Sequence, residues 1–247
     1  MKNRIALVTG GSRGIGKGIA MELAKNGVSV VVTYVENKKE ADLVCQNIKS
    51  MKGSCAKVQM DSKSRKSIKK AVEFTRKKFG KIDILINNAA ISQEKPFESI
   101  TDDDFDQMMS VNLRGPFSLA QELIPDMVTS KWGRVVNIVS IGGQWGGYNQ
   151  VHYAASKAAL INFTQSIAKI YSAHGITSNA ISPGLVATDM TSFELNTTLG
   201  RKKVSEIPIK RLGTAKEIGA AAVYLVSDEA AYITGQTINL NGGMLFS

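Results

Sequence analysis

The chain has 247 residues, 43% hydrophobic and 21% charged, which fits one large globular domain and excludes a disordered or fibrous protein. Its net charge is +10, from 31 lysines and arginines against 21 acidic residues. The two cysteines, Cys45 and Cys55, offer neither a disulfide framework nor a zinc knuckle and are typical of a reducing compartment. No stretch has the length of a signal-peptide core or a membrane span, which predicts a cytoplasmic protein without a membrane partner.

Short β-rich runs alternate with longer helical patterns along the chain. Strands are predicted at 4–9, 28–34, 54–60, 82–86, 134–140, 176–182 and 236–240, and helices at 14–26, 37–51, 64–79, 102–130, 152–173 and 214–226. Apolar runs such as "VSVVV" and "DILI" are typical of strands covered on both faces. The alternation predicts one α/β domain over residues 1–247, a Rossmann fold with a seven-stranded, doubly wound parallel sheet and helices on both faces. Residues 187–213 interrupt the rhythm and are predicted to be a substrate lid, with an irregular loop as the alternative.

The segment "TGGSRGIG", residues 9–16, lies between the first strand and the first helix. Glycines at this spacing allow a tight turn, a close approach to a pyrophosphate and close packing of the helix on the sheet, and the helix N-terminus attracts phosphate. The predicted dinucleotide-binding residues are Gly10, Ser12, Arg13, Gly14, Ile15 and Gly16. The same letters also fit the G-x-S-x-G elbow of hydrolases. That elbow needs an earlier loop for its oxyanion hole, and only nine residues precede Gly10.

The end of the second strand bears on the choice of nicotinamide cofactor. An acidic residue there binds the ribose 2′-hydroxyl in many NAD enzymes, whereas this chain has Tyr34. With Arg13 in the turn and Lys38 nearby, a 2′-phosphate meets positive charge, although Glu36 argues the other way. We therefore predict NADP(H).

Lysine and arginine are concentrated between residues 57 and 81. Ile68, Val72 and Phe79 recur near helical spacing there, which favours the solvated face of an amphipathic helix. A surface for an anionic partner is the alternative. No aromatic platform for stacking bases interrupts the basic run, so no nucleic-acid partner is expected.

Tyr153 and Lys157 lie four residues apart on a predicted helix, and therefore on one face. A free tyrosine has a pKa near ~10, and a neighbouring ammonium together with a positively charged nicotinamide would stabilise its phenolate. Ser140, at the end of the preceding strand, could bind a substrate carbonyl. A surface pair is the alternative. His152 is not expected to be a second acid–base group, because a helix neighbour points about 100° away.

Taken together, these motifs resemble the short-chain dehydrogenase/reductase family over essentially the whole chain. The motifs are T-G-x-x-x-G-x-G, "NNAA", Asn112, Ser140, Y-x-x-x-K and "PG". Within the family the chain is most similar to the bacterial 3-oxoacyl-[acyl-carrier-protein] reductases. The resemblance implies that Tyr153 donates a proton and that Lys157 lowers its pKa and binds the nicotinamide ribose. It also implies that Asn112 supports a water relay to the lysine.

The resemblance further implies cofactor contacts, a reaction and an assembly. The additional cofactor residues are Asp61 and Ser62 beside the adenine, Asn88 beside the ribose, and Pro183, Gly184, Val186 and Thr188 beside the carboxamide, and Tyr153 and Lys157 also touch the cofactor. The reaction would be NADPH-dependent reduction of a 3-oxoacyl thioester on acyl-carrier protein in fatty-acid synthesis, by a homotetramer without a metal.

Some positions depart from the pattern of the family. Ala90 replaces a glycine, and Lys131 and His174 stand where close relatives carry arginines for docking the carrier protein. Another carbonyl reductase or alcohol dehydrogenase, acting on acetoacetyl-CoA, a polyketide, a sugar or a cyclic ketone, therefore remains open. So does a non-catalytic protein that senses the cofactor or binds nucleic acid.

Overall fold

A computed structural model describes residues 1, 3–187 and 197–246. Within these ranges one parallel sheet has the order β3-β2-β1-β4-β5-β6-β9, and β7 pairs with β8 separately. The strands are β1 Ile5–Val8, β2 Ser29–Tyr34, β3 Cys55–Gln59, β4 Ile84–Asn87, β5 Gly133–Ile138, β6 Ile176–Pro183, β7 Val186–Ala187, β8 Gly213–Thr214 and β9 Thr237–Leu240. The chain order reverses between β1 and β4, which confirms the predicted doubly wound α/β fold.

Nine α-helices lie in the described part of the chain. They are α1 Gly14–Lys25, α2 Lys38–Ser50, α3 Arg65–Phe79, α4 Asp102–Met109, α5 Gly115–Ser130, α6 Gly142–Trp145, α7 Val151–Tyr171, α8 Thr198–Glu206 and α9 Ala215–Val226. The helix predicted at 102–130 is interrupted by a wider π turn, Ser110–Arg114. The sequence analysis missed α6 and α8, and α8 lies inside the predicted lid. Thr188 and the remainder of that lid up to residue 196 lie outside the described residues.

Both faces of the sheet are covered, which explains the continuous apolar runs. In β1, Ala6 and Val8 pack against α1, α2 and α9. Ile5 and Leu7 point to the opposite face and pack against α3, α5 and α7. This alternation places two cores on one sheet. Because the strands are parallel, the carboxyl ends of β1 to β6 lie at one edge, and the loops there build the site.

The basic segment forms α3 and behaves as an amphipathic helix. Its Ile68, Ala71 and Val72 are buried, whereas its exposed residues include Lys66, Lys69, Lys70, Lys77 and Lys78. Two of its arginines pair with acidic residues of α5, Arg65 with Glu122 and Arg76 with Asp126. The predicted solvated face is therefore confirmed.

The expectation that the cysteines form no disulfide was wrong. Cys45 on α2 and Cys55 at the start of β3 are disulfide-bonded, with their Cα atoms 5.2 Å apart. The chain turns back after α2 and lays β3 beside that helix, which brings the two side chains together. Because this contact depends on the turn, cysteine number and spacing could not reveal it.

No described helix is long and apolar enough to cross a membrane. The same residues contain no group of three or more histidines, cysteines or acids arranged to hold a metal ion.

Candidate active site

The glycine turn after β1 is shaped to receive a phosphate. Gly10 and Gly14 have φ values of 60° and 51°, in the left-handed region that favours glycine. A Cβ on Gly16 would collide with the carbonyl oxygen of Gly10 and lie 2.5 Å from Asn88 Nδ2. The side chain of Arg13 does not cap α1, so the first N–H groups of that helix are available to an anion. The turn therefore fits the pyrophosphate of a dinucleotide.

Asn88 and Thr9 fix the shape of this turn. Asn88 Nδ2 donates to the carbonyl oxygens of Thr9 and Gly10, at 2.9 and 3.1 Å. Thr9 Oγ1 accepts from the backbone N–H groups of Asn88 and Ala89, both at 2.9 Å. The amide of Asn88 thus holds the turn against the end of β4, a role that the resemblance did not imply. This role of Thr9 was not predicted, although a hydroxyl residue directly after the first strand was a usable signal.

The predicted adenosine side lies next to the turn. The backbone N–H of Gly11 donates to Thr33 O at 3.1 Å, which ties the turn to β2, and Tyr34 ends that strand. Asp61 follows β3, and one of its carboxylate oxygens accepts from the backbone N–H of Lys63 at 2.9 Å. Ser62 is buried beside it, whereas Arg13 is exposed at the other side of the turn. These residues occupy one edge of the sheet, and their contact with the cofactor stays a prediction.

Ser140 and Tyr153 are brought together by the loop after β5 and the first turn of α7. Burial of the Tyr153 phenol raises its pKa and is the larger cause, whereas the neighbouring Ser140 hydroxyl lowers that pKa. From the sequence, Lys157 was expected to lower the pKa of Tyr153, whereas burial raises it in the protein without cofactor. A buried phenol stays protonated at neutral pH and is suited to donate a proton.

Lys157 lies on the same face of α7 as Tyr153. Its side chain is 3% exposed, and its Nζ lies 5.7 Å from the centroid of the Tyr153 ring. The ammonium donates to Ile138 O at 2.8 Å, and burial lowers the pKa of Lys157 to about 8. The predicted spacing therefore places a buried cation beside the phenol ring without a direct bond to the hydroxyl.

Asn112 lies in the π turn between α4 and α5. Its Oδ1 accepts from the backbone N–H of Ile91, and its Nδ2 donates to Ile91 O and to Ser156 Oγ, all at 3.0 Å. The extra residue of a π turn redirects a side chain that a regular helix would point elsewhere. Asn112 thus ties the loop after β4 to α7, and its direct partners do not include Lys157.

The loop after β6 lies at the same edge of the sheet, where the carboxyl ends of the strands meet. Pro183 ends β6, and the backbone N–H of Gly184 donates to Leu240 O at 3.1 Å. A Cβ on Gly184 would lie 2.9 Å from Asn241, so the close packing of this loop favours glycine. Val186 follows in β7 and is buried. Thr188, the last predicted contact, lies beyond the described residues.

Gln144 is a positioned residue that the sequence analysis missed. Its Nε2 donates to Ser182 Oγ at 2.8 Å and to Asn239 Oδ1 at 2.7 Å. The loop that follows Ser140 is therefore anchored to the ends of β6 and β9. Asn179, in contrast, is a structural residue of β6, with its amide bonded to Ile233 O and its Oδ1 to the backbone N–H of Gln236.

Comparison with known proteins identifies similar chains. A family model described as enoyl-(acyl carrier protein) reductase matches residues 10–245. A 3-oxoacyl-[acyl-carrier-protein] reductase of Staphylococcus epidermidis is 37% identical over 242 residues, covering 98% of this chain and 99% of the relative. One from Aquifex aeolicus is 38% identical over 245 residues, covering 99% and 98%. The crystal structure of a blue fluorescent protein from a metagenomic library in complex with NADPH superposes with a TM-score of 0.93 at 32% identity, covering 99% of both chains.

Proposed function

The chain belongs to the short-chain dehydrogenase/reductase family, and we propose that it reduces a 3-oxoacyl thioester to the 3-hydroxyacyl product with NADPH, as a step of fatty-acid synthesis. The placement of the Ser140 hydroxyl beside Tyr153, with Lys157 next to the phenol ring, carries this proposal. A proton donor at the sheet edge that also bears the glycine turn is what carbonyl reduction by a dinucleotide requires. Because one fold serves many substrates, the thioester is assigned from the curated relatives, whose names specify it.

NADP(H) is the cofactor that fits this site, and when bound it supplies the hydride to the carbonyl carbon. Gly10, Gly14 and Gly16 leave room for the pyrophosphate at the start of α1. Arg13 supplies positive charge for a 2′-phosphate, and Tyr34 replaces the acid that would repel it. The remaining proposed contacts are Ser12, Ile15, Asp61, Ser62, Asn88, Tyr153, Lys157, Pro183, Gly184 and Val186, and Thr188 stays a prediction.

The catalytic roles follow from the geometry of the side chains. Ser140 donates a hydrogen bond to the substrate carbonyl oxygen and orients it beside the phenol. Tyr153 transfers its proton to that oxygen as the alkoxide forms, and the phenolate is later reprotonated from solvent. Lys157 places a buried positive charge where it stabilises the transient phenolate. Asn112 keeps the loop at Ile91 against α7.

A substrate panel tests this function. Oxidation of NADPH and of NADH is followed with acetoacetyl-CoA, carrier-bound acetoacetate, a crotonyl thioester and a cyclic ketone. We expect the highest kcat/KM for the 3-oxoacyl thioesters, with NADPH preferred. Turnover of the crotonyl thioester alone would instead support the enoyl reduction named by the family model. Turnover of the ketone alone would indicate another carbonyl reductase, and salt-sensitive DNA binding without turnover would indicate a non-catalytic protein.

We also propose that the enzyme is a homotetramer that acts on carrier-bound substrate. An open groove of about 520 Å³ between the π turn, α5 and α7 is lined by apolar side chains that include Met109, Leu113, Phe117 and Phe163. Phe117 is 42% exposed although it packs edge-on against Phe163, and a second copy of the chain would cover it. Light scattering should give four times the chain mass of 26.6 kDa. Phe117→Asp should dissociate the assembly, and a monomeric wild-type protein would refute it.

We propose a cytoplasmic location because of the role in fatty-acid synthesis proposed above. One structural observation argues against this location. Disulfides are rare in a reducing cytosol, yet Cys45 and Cys55 are bonded. Alkylation of intact cells, followed by mass measurement of the purified chain, shows whether the two thiols are free. Free thiols would agree with the cytoplasm, and a bonded pair would point to an oxidising compartment.

A further inference from the structure

Two loops that border Tyr153 are joined to each other by hydrogen bonds. The loop 88–97 follows β4, and the loop 141–150 leads into α7. The backbone N–H of Lys95 donates to Asn149 O at 2.7 Å. The Nε2 of His152, in the first turn of α7, lies 2.8 Å from Gln93 Oε1. The second bond is made by the residue directly before Tyr153, and none of the catalytic roles proposed above depends on it.

The partners of Gln93 determine which ring nitrogen of His152 carries the proton. Asp104 Oδ2 accepts from Lys95 Nζ at 2.6 Å, and this bond is the largest cause of a pKa well below the ordinary range of an aspartate. Asp104 is therefore ionised and only accepts, so Gln93 donates its Nε2 to Asp104 Oδ1 at 2.9 Å. The Oε1 of Gln93 then faces His152 and must accept from it. His152 consequently carries its proton on Nε2.

Packing stability alone does not account for a histidine at this position. The ring of His152 is fully buried, and its Nδ1 has no hydrogen-bond partner in the described residues. A buried acceptor without a partner costs free energy that an apolar ring of similar size would not cost. What histidine adds over such a ring is the Nε2–H directed at Gln93.

We propose that His152 is a positioning residue, which locks the loop after β4 to the first turn of α7 through Gln93 and thereby fixes the substrate wall beside Tyr153. Two hydrogen bonds connect Asp104 on α4 through Gln93 to His152, the residue directly before Tyr153. Asn112 holds the same loop two residues earlier, at Ile91. The loop is thus anchored on both sides of Ser92. The kinetic part of the inference rests on the proposed reductase function.

The protonated nitrogen can be measured without any enzyme assay. The chain has two histidines, so a ¹⁵N-histidine spectrum of the whole protein contains two rings, and His174→Gln assigns them. We expect the His152 ring to carry a proton on Nε2. A proton on Nδ1 with none on Nε2 would overturn the proposed bond to Gln93, whether or not the enzyme reduces thioesters.

Kinetics separate positioning from a merely structural role. His152→Phe keeps a ring and removes the donor, so kcat/KM for the thioester should fall about tenfold or more, mainly through KM, with NADPH affinity within twofold of wild type. The unfolding midpoint should move little, because the variant also removes the unpartnered Nδ1. His152→Gln restores an N–H at the same reach and should recover kcat/KM to within about threefold.

Two further variants keep the test decisive. Gln93→Met removes the acceptor from the other side and should reproduce the rise in KM if His152→Phe does not fold. Gln46→Met makes the same change at an exposed position of α2 and should leave kcat and KM unchanged. Unchanged KM in both His152→Phe and Gln93→Met would refute the positioning role. If the wild-type protein does not reduce thioesters, only the proposed function is refuted.

Discussion

The buried charge of Lys157 should make the ligand-free protein less stable than it would be with an apolar residue at this position. Burial holds its folded-state pKa at about 8, against an ordinary value of 10.5 for a lysine. Each unit of pKa corresponds to about 1.4 kcal/mol, so the folded state carries a penalty of about 3 kcal/mol at pH 7 for keeping this ammonium charged. The bond to Ile138 O would be lost on substitution and offsets about 1 kcal/mol of the gain. Lys157→Met is therefore expected to raise the free energy of unfolding by about 2 kcal/mol at pH 7, while abolishing most activity.

The sign of the pH dependence follows from the depressed pKa. Between the folded pKa of about 8 and the unfolded value of 10.5, the unfolded chain binds more protons, so the penalty disappears as pH rises through this window. At pH 10 only about 1 kcal/mol of it remains. Urea unfolding of both proteins without cofactor, at pH 7 and pH 10, should show the advantage of Lys157→Met shrinking by about 2 kcal/mol. An advantage that does not change with pH, or a less stable variant at pH 7, would contradict the assigned cause.

Three other changes test separate parts of the molecule. Tyr153→Phe removes only a hydroxyl, so turnover should fall about a thousandfold or more with NADPH affinity preserved; near-normal turnover would end its assignment as the acid. Gly16→Ala places a methyl group against Gly10 O and should weaken NADPH binding about a hundredfold in a fluorescence titration, whereas Gly142→Ala, with its nearest neighbour 3.5 Å away, should not. Trp132→Ala removes the ring on which the guanidinium groups of Arg4 and Arg134 stack, at 3.7 and 4.2 Å from its centroid; it should cost about 3 kcal/mol in denaturant unfolding, and an unchanged midpoint would show that the stack contributes nothing.

Features that depend on local pattern were predictable from the sequence. A strand buried on both faces needs apolar residues on both sides, so "VSVVV" indicated β2 before its neighbours were known. The glycine turn was equally readable, because Gly10 and Gly14 adopt backbone angles that other residues avoid. The spacing of Tyr153 and Lys157 placed both on one face of α7, and the structure confirms that placement.

Features that depend on contacts between distant segments were not predictable in this way. The Cys45–Cys55 bond needs the turn that brings β3 beside α2. The π turn at Asn112 inserts one residue into an otherwise helical pattern, and no letter in "SVNLR" marks it. The link from Asp104 through Gln93 to His152 joins α4, a loop and α7. Side-chain hydrogen bonds between three separate segments produce no periodic pattern in the sequence, so they could not be predicted from it.

Burial shifts the pKa values of the two proposed catalytic groups, Tyr153 and Lys157, in opposite directions. It disfavours charge on both, so it raises the pKa of the Tyr153 phenol and lowers that of the Lys157 ammonium. The phenol is thereby kept as a proton donor at neutral pH, while the lysine, with a pKa of about 8, still carries its charge for most of the time. This combination suits reduction, in which the tyrosine must start protonated and the cation is needed only once the proton has left. Oxidation would need the phenolate first, and burial opposes it. The same desolvation that weakens the fold at Lys157 therefore biases the site towards delivering a proton to a carbonyl oxygen.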